Sequence, residues 1–469
     1  MKRRSLLCLL LCGSAVVPES LPSKKDADVQ VWLTNADKST LFERQRSSLR
    51  FSNAAKQDRS IEIDDQKSFQ TIDGFGFALT GGSAQHLAHM HAEKRASLLK
   101  ELFAADAKNI GISYLRISIG SSDLNDHVFS YDDLPVGETD SQLAKFSLAP
   151  DLQDLVPVLK EILAINPQIQ FLGSPWSPPA WMKTNNNPRG GKLKTEDYGA
   201  YADYFVKYIQ AMKVEGITVG AITIQNEPLN DKNTPSMLMS ADEEALFIKD
   251  NLGPALKAAG IRTKIILYDH NCDVPEYPLS ILKDPQANPF VDGSGFHLYG
   301  GEISAMSAVH NAFPLKNLYF TEFMAVEPTE NGRISIAKPV VGTFIGALQN
   351  WSRNVLLWNL AANSKFEPHT DNGGCSICQG AVTIDGDAVT RNLAYYAMAH
   401  FSKFVRPGSV RIASSLLETL PNVAFKDPDG KIVLIVVNDL NSTQDFCVRY
   451  RGKSFHTTLK KGAVVTYVW

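Results

Sequence analysis

Val219-Gly-Ala-Ile-Thr-Ile-Gln-Asn-Glu-Pro228 is the stretch on which the fold is decided. The run Val219–Ile224 suits one buried strand, and it stops at a polar cluster followed by proline. Upstream, Tyr201, Tyr204, Phe205, Tyr208, Ile209 and Met212 recur at helical spacing behind a predicted cap at Thr195. Downstream, Ser240 with Glu243 makes a capping-box pattern ahead of another helix. A strand set between two amphipathic helices is a βα unit, which belongs to a parallel sheet.

The same grammar extends in both directions. Candidate strands fall at Gly74–Leu79, Tyr114–Ile119, Ile169–Gly173, Lys264–Tyr268, Gly295–His297, Leu318–Thr321 and Asn354–Trp358. With Val219–Ile224 they number eight, and Leu152, Leu155, Leu159 and Ile162 mark a further helix. Eight βα units predict an α/β chain closed as a (β/α)8 TIM barrel, over residues 67–404. The flanks read differently. Residues 25–66 hold short alternating runs at Val29–Leu33, Leu49–Ser52 and Ser60–Asp64. Residues 405–469 hold Val410–Ala413, Val423–Lys426, Ile432–Val437, Phe446–Tyr450 and Val464–Trp469, with a hairpin turn at Asp427-Pro-Asp-Gly430. No long linker isolates this tail, so both chain ends are expected to form one side β-sandwich.

Residues 1–24 read as a signal peptide. Lys2, Arg3 and Arg4 precede the apolar run Leu6–Leu11, and small residues follow at Gly13, Ser14 and Ala15. That run is too short to span a bilayer, and no later one reaches about 18 apolar residues. A secreted or periplasmic protein is expected. A lipid anchor at Cys12 is the alternative, although Leu11 stands where such sites take a small residue. In an exported chain Cys375 and Cys378 could form a local disulfide. Lys and Arg number 47 against 50 Asp and Glu, a balance that lacks the basic footprint of a nucleic-acid binder.

Chemistry in such a barrel sits where strands end. Those positions carry Ser121-Ser122-Asp123, the loop Ser174–Trp181, Gln225-Asn226-Glu227, Asp269-His270-Asn271, His297-Leu298-Tyr299, Thr321-Glu322 and Trp358-Asn359. One strand-end glutamate is most simply a salt-bridged carboxylate. Two of them, with aromatic walls and Asn226 beside Glu227, suit a glycoside. One carboxyl protonates the leaving oxygen while the other acts across the anomeric carbon. A separation of about 5–5.5 Å retains configuration, and about 6.5–9.5 Å admits water and inverts it. Trp176 and Trp358 are read as stacking platforms and Trp181 as loop packing. His270 and His297 lack metal-ligand spacing and are expected to hydrogen-bond near the site, with His297 among the substrate-binding residues. Gly74-x-Gly76 and Gly81-Gly82 fit neither phosphate-loop pattern, and no Gly-x-Ser-x-Gly elbow occurs.

Several of these motifs resemble glycoside hydrolase family 30, the family of lysosomal glucosylceramidase and its bacterial relatives. They are Phe69-Gln-Thr-Ile-Asp-Gly-Phe-Gly76, Leu115-Arg-Ile-Ser-Ile-Gly-Ser-Ser-Asp123, Ser174-Pro-Trp-Ser-Pro-Pro-Ala-Trp-Met-Lys-Thr-Asn185, Gln225-Asn-Glu-Pro228 and Thr321-Glu-Phe323. The resemblance runs from about residue 29 to the C-terminus, in family order. It implies a retaining β-glycosidase of glucosylceramidase or β-glucosidase type, with Glu227 as acid/base and Glu322 as nucleophile. It further implies sugar binding by Asp123 and Trp176, a bond from Asn226 to the 2-hydroxyl, Tyr299 close to the nucleophile, Trp358 as the floor, and no metal or organic cofactor. Glu227 should then carry a raised pKa while Glu322 stays ionised.

Two departures bear on substrate. The segment Pro368-His-Thr-Asp-Asn-Gly-Gly-Cys-Ser-Ile-Cys-Gln379 looks like the version in bacterial relatives, and Leu298 follows His297 where the vertebrate enzyme has tryptophan. Endo-β-1,6-glucanase action is therefore the alternative within the family, and glucosides, fucosides and xylosides are further candidates. Outside it stand a non-catalytic carbohydrate-binding barrel and a metal-dependent hydrolase.

Overall fold

The computed structural model describes residues 29–46, 49–53, 59–106, 108–326 and 333–469, so the leader expected at 1–24, with Cys12, lies outside the described residues. Eight parallel strands close into a barrel. They are β1 (Gly74–Leu79), β2 (Tyr114–Ile119), β3 (Gln170–Pro175), β4 (Ala221–Thr223), β5 (Lys264–Cys272), β6 (Val291–Gly301), β7 (Asn317–Glu322) and β8 (Ser352–Leu357). β8 pairs with β1 to complete the circle, with Asn354 opposite Gly74.

Strand parity fills the barrel in layers, because residues two apart face the same side. Tyr114, Leu172, Ala221, Ile266, Tyr319 and Leu356 form one buried apolar cluster from six strands. Two residues further along the chain come Arg116 on β2, Ser174 on β3 and Thr223 on β4. The barrel thus changes from an apolar floor to a polar layer within one strand period.

The helices follow the sequence pattern with two corrections. The tyrosine-rich helix spans Tyr198–Val214, but Thr195 does not cap it; residues Thr195–Asp197 form a 3-10 turn instead. Leu152 is exposed and precedes the helix Leu155–Ile165. The capping box of Ser240 with Glu243 is present in both directions.

Strands from both chain ends form one ten-stranded sheet. Gln30–Thr34 pairs antiparallel with Val464–Val468, tying the first described strand to the last. Ser60–Thr71 runs beyond the stretch expected from Ser60–Asp64, because its polar half pairs with Val410–Ser414. Lys453–Leu459, unmarked in the sequence reading, is a strand whose core-facing side carries Phe455 and Leu459 with Thr457 between them. A small sheet of Ala361–Ala362, Val382–Asp385 and Ala388–Arg391 was likewise unexpected. His400 fastens the sheet to the barrel: the fully buried ring sits 2.8 Å from Thr34 Oγ1 on one side and 2.8 Å from Thr466 Oγ1 on the other.

Candidate active site

Bulges and left-handed residues aim the side chains at the barrel mouth. Tyr268 and Asp269 on β5 have φ of 70° and 52°, and Glu227 after β4 has φ of 48°. Such conformations are disfavoured for residues with a Cβ and cluster at functional sites. The β5–β6 register skips Asp269, passing from Tyr268 opposite Gly295 to His270 opposite Phe296. Asp269 thereby reaches Arg116 inside the barrel. A shift between β6 and β7 then sets His297 opposite Glu322. Backbone bonds fix the strand ends: Asn226 N donates to Pro175 O at 2.7 Å, and Glu227 N donates to Asp269 O at 3.0 Å.

Arg116 organises the polar layer. Its Nη1 donates to Glu322 Oε2 at 2.6 Å, and its Nη2 donates to Asp269 Oδ2 and to Asn226 Oδ1, each at 2.7 Å. Ser174 and Thr223 add hydroxyl bonds to the same Asp269 oxygen. The guanidinium also lies 4.8 Å from the Trp176 ring centroid. A buried cation of this kind persists only where carboxylates pair it closely.

His297 links the two glutamates. Its Nδ1 lies 3.1 Å from Glu227 Oε1 and 3.9 Å from Glu322 Oε1, and its Nε2 lies 3.1 Å from Asp269 Oδ1. Asn230 Nδ2 donates to Glu227 Oε2 at 2.7 Å, while Tyr299 donates its hydroxyl to Glu322 Oε1 at 3.1 Å. A cavity of about 430 Å³ opens over this group, lined by Asp123, Trp176, Glu227, Tyr299, Glu322 and Trp358 among others. Trp176 and Trp358 meet at 5.3 Å between ring centroids. Cys375 and Cys378 are disulfide-bonded and form part of the same wall.

All eight site residues read from the sequence converge here, in two ranks. Asp123, Trp176, Tyr299 and Trp358 border the cavity with the two glutamates. Asn226 and His297 stand behind that wall. His297, expected among the substrate contacts, is fully buried with both nitrogens against carboxylates and is not part of the cavity lining. Trp181 is packed in the barrel core and donates its indole N–H to Asp132.

The carboxyl groups titrate in the opposite sense to the expectation from the sequence. Burial pushes Glu227 up, but the hydrogen bond and charge of His297, with His270 and Asn230, hold it down at about 2. Burial raises Glu322, and the charges of His297 and Arg116 only partly offset it. Burial would lower His297, yet the Glu322 charge and the bonds to Asp269 and Glu227 push it up to about 9. The reason is positional: the imidazole lies closer to Glu227 than to Glu322. Asp123 is pushed up to about 8 by burial and by the charges of both glutamates.

Sequence reasoning missed Arg116 and Asn230 as site members, and placed Asp269 at a strand end without giving it a role. A lone arginine inside the apolar alternation Tyr114-Leu-Arg-Ile-Ser-Ile119 was the available signal. Nothing in the sequence marks the left-handed turn that brings Asp269 inward. His270 also joins the group, with Glu227 and His297, as a set of side chains able to hold a metal ion.

Comparison with known proteins agrees with this fold. The glycosyl hydrolase family 30 TIM-barrel domain matches residues 72–405, and that family's beta sandwich domain matches residues 408–467. An endo-1,6-beta-D-glucanase of Neurospora crassa is 37% identical over 87% of this chain and 88% of its own length. A solved endo-beta1,6-glucanase superposes with a TM-score of 0.86 at 32% identity, covering 94% of this chain and 99% of that one. The lysosomal acid glucosylceramidase of Mus musculus is 27% identical over 87% of this chain and 83% of its own length.

Proposed function

The chain belongs to glycosyl hydrolase family 30, and from that premise we propose that it is a retaining endo-β-1,6-glucanase acting through Glu227 and Glu322. The observation that carries the reading is the convergence of both carboxylates on the single imidazole of His297. So short a bridge favours the direct-attack spacing of about 5–5.5 Å over the wider one. For the substrate, similarity to endo-1,6-β-glucanases at 37% and 32% identity outweighs that to the glucosylceramidase at 27%. This moves the reading from the glucosylceramidase type expected first to the glucanase alternative.

In the proposed reaction Glu322 attacks the anomeric carbon, and the glycosidic bond breaks as the leaving oxygen takes a proton from Glu227. The Glu227–His297 pair holds one proton on a 3.1 Å hydrogen bond. Its passage from Nδ1 to Oε1 makes the acid with no change in total charge. Once the glycosyl ester forms, Glu227 accepts a proton from water, which releases the sugar with configuration retained. Arg116 and Tyr299 hold Glu322 in line by their hydrogen bonds. Asn226 gives its oxygen to Arg116, leaving its NH2 to donate to the sugar 2-hydroxyl. Asp123 and Trp176 take the remaining hydroxyls and one sugar face, with Trp358 as floor.

Cleavage of a glycolipid is the second reading. It rests on an apolar recess of about 370 Å³ lined by Leu298, Phe323, Ala325 and Val326, joined to the catalytic cavity through Met324. Rates on β-1,6-glucan, glucosylceramide and aryl β-glycosides decide between the two. The glucanase reading expects kcat/KM on β-1,6-glucan at least about tenfold above the others; faster turnover of glucosylceramide would reverse the assignment. Action on a polymer fits the export expected from the sequence of residues 1–24. Among the described residues no helix is long and apolar enough to cross a membrane.

A further inference from the structure

His270 carries a ring nitrogen with nothing to bind. The residue is 8% exposed, and its Nδ1 is buried with no hydrogen-bond partner among the described residues. Buried polar atoms are rarely left so unless a ligand or water completes them. This nitrogen lies 3.9 Å from Glu227 Oε1, which itself lies 3.1 Å from His297 Nδ1. One donor atom from each residue falls within 4.8 Å of the other two.

We propose that Glu227, His270 and His297 form a binding site for a borderline divalent cation, Zn2+ or a similar late first-row ion. Two imidazoles and one carboxylate suit such ions, whereas Mg2+ and Ca2+ prefer all-oxygen shells. Donor atoms about 2.0–2.1 Å from a tetrahedral ion stand about 3.4 Å apart. Two of the three separations, 3.1 and 3.9 Å, straddle that value and the third lies within 4.8 Å, so rotations that draw the two rings together complete three corners. The fourth faces the cavity, which Glu227 and His270 line and through which the ion and a water enter.

The support behind His297 is that of a metal ligand. Its Nε2 lies 3.1 Å from Asp269 Oδ1, which fixes the ring with Nδ1 turned to the site. Asp269 is in turn held by Arg116, Ser174 and Thr223. A carboxylate behind a histidine sets its tautomer and strengthens its bond to the metal. The arrangement serves inhibition rather than catalysis. An ion bound here displaces to solvent the proton shared by His297 Nδ1 and Glu227 Oε1, and so occupies the oxygen from which the leaving group takes its proton. That consequence rests on the reading of Glu227 as acid/base; the binding itself does not.

The test uses the full chain after chelator treatment and dialysis. ZnCl2 is titrated by calorimetry, and CoCl2 is followed by its visible absorption, for wild type, His270→Ala and Glu227→Gln. Circular dichroism and the unfolding midpoint check that each variant folds, and either one alone suffices. The expected result is one Zn2+ per wild-type chain, a tetrahedral Co2+ band, and affinity at least about tenfold weaker in each folded variant. Equal affinity in wild type and variants overturns the site, as does the absence of both heat and band at millimolar metal. Hydrolysis of β-1,6-glucan is followed in the same titration. A chain that binds Zn2+ through these residues yet hydrolyses at full rate upholds the cation site and contradicts Glu227 as acid/base.

Discussion

The floor and the mouth of this barrel are built from the same strands and obey opposite rules. At the floor, Tyr114, Leu172 and Ala221 are buried in one cluster of apolar side chains. Two residues further on, Arg116, Ser174 and Thr223 are equally buried and meet charge. Burying Arg116, Asp269 and Glu322 costs desolvation that their ion pairs must offset, whereas each buried Leu or Ile contributes about 1.5–3 kcal/mol. The floor therefore stabilises the fold, and the mouth spends part of that stability on holding two glutamates against one histidine.

Breaking the mouth should abolish chemistry first. Glu322→Gly is expected to lower kcat by about 10⁴–10⁶-fold on an activated aryl β-glycoside. Azide should restore turnover and give a sugar azide of inverted configuration; a retained azide would reverse the roles of the two glutamates. Next, Arg116→Met takes the guanidinium from Asp269 and Glu322 and should lower stability by about 3–5 kcal/mol in urea unfolding while also removing activity. Wild-type stability in that variant would mean the ion pairs carry no structural weight. Leu172→Ala at the floor should cost a similar 2–5 kcal/mol, roughly. Its kcat/KM should nevertheless stay within about tenfold of wild type, and a larger loss would show that floor and mouth are not separable.

A pH-dependent effect separates the charged mouth from the neutral seam at the sandwich. Burial lowers His400 to about 3. Its unfolded form takes a proton below about pH 6.5, which the folded form refuses until about pH 3. Stability is therefore lost as pH falls through that window, by about 1.4 kcal/mol for each pH unit. His400→Asn should be less stable at pH 7 and should lose this share of the acid slope. An unchanged slope would remove His400 from the account.

The sequence disclosed the parts of this design that local physics writes. Short apolar runs ended by polar clusters gave all eight barrel strands, and the polar ends gave both glutamates, the tryptophans and Tyr299. What stayed hidden depends on closure of the barrel. Arg116 reads as a charge inside a strand until β2 is known to face β5 and β7 across the interior. Asp269 points inward only because two left-handed residues re-aim β5. His270 and His297 have no metal-like spacing along the chain, and they meet because neighbouring strands β5 and β6 carry them. The pairing of His297 with Glu227 likewise reversed the titration expected from burial alone.

The central claim is that Glu322 attacks directly and Glu227 serves as acid and then base. Proton NMR of the first sugar released from β-1,6-glucan tests it most directly, read before mutarotation scrambles the anomers. The account predicts that the β-anomer appears first and the α-anomer grows in later. An α-anomer appearing first would mean that a water, not Glu322, attacks the anomeric carbon, and it would contradict the account.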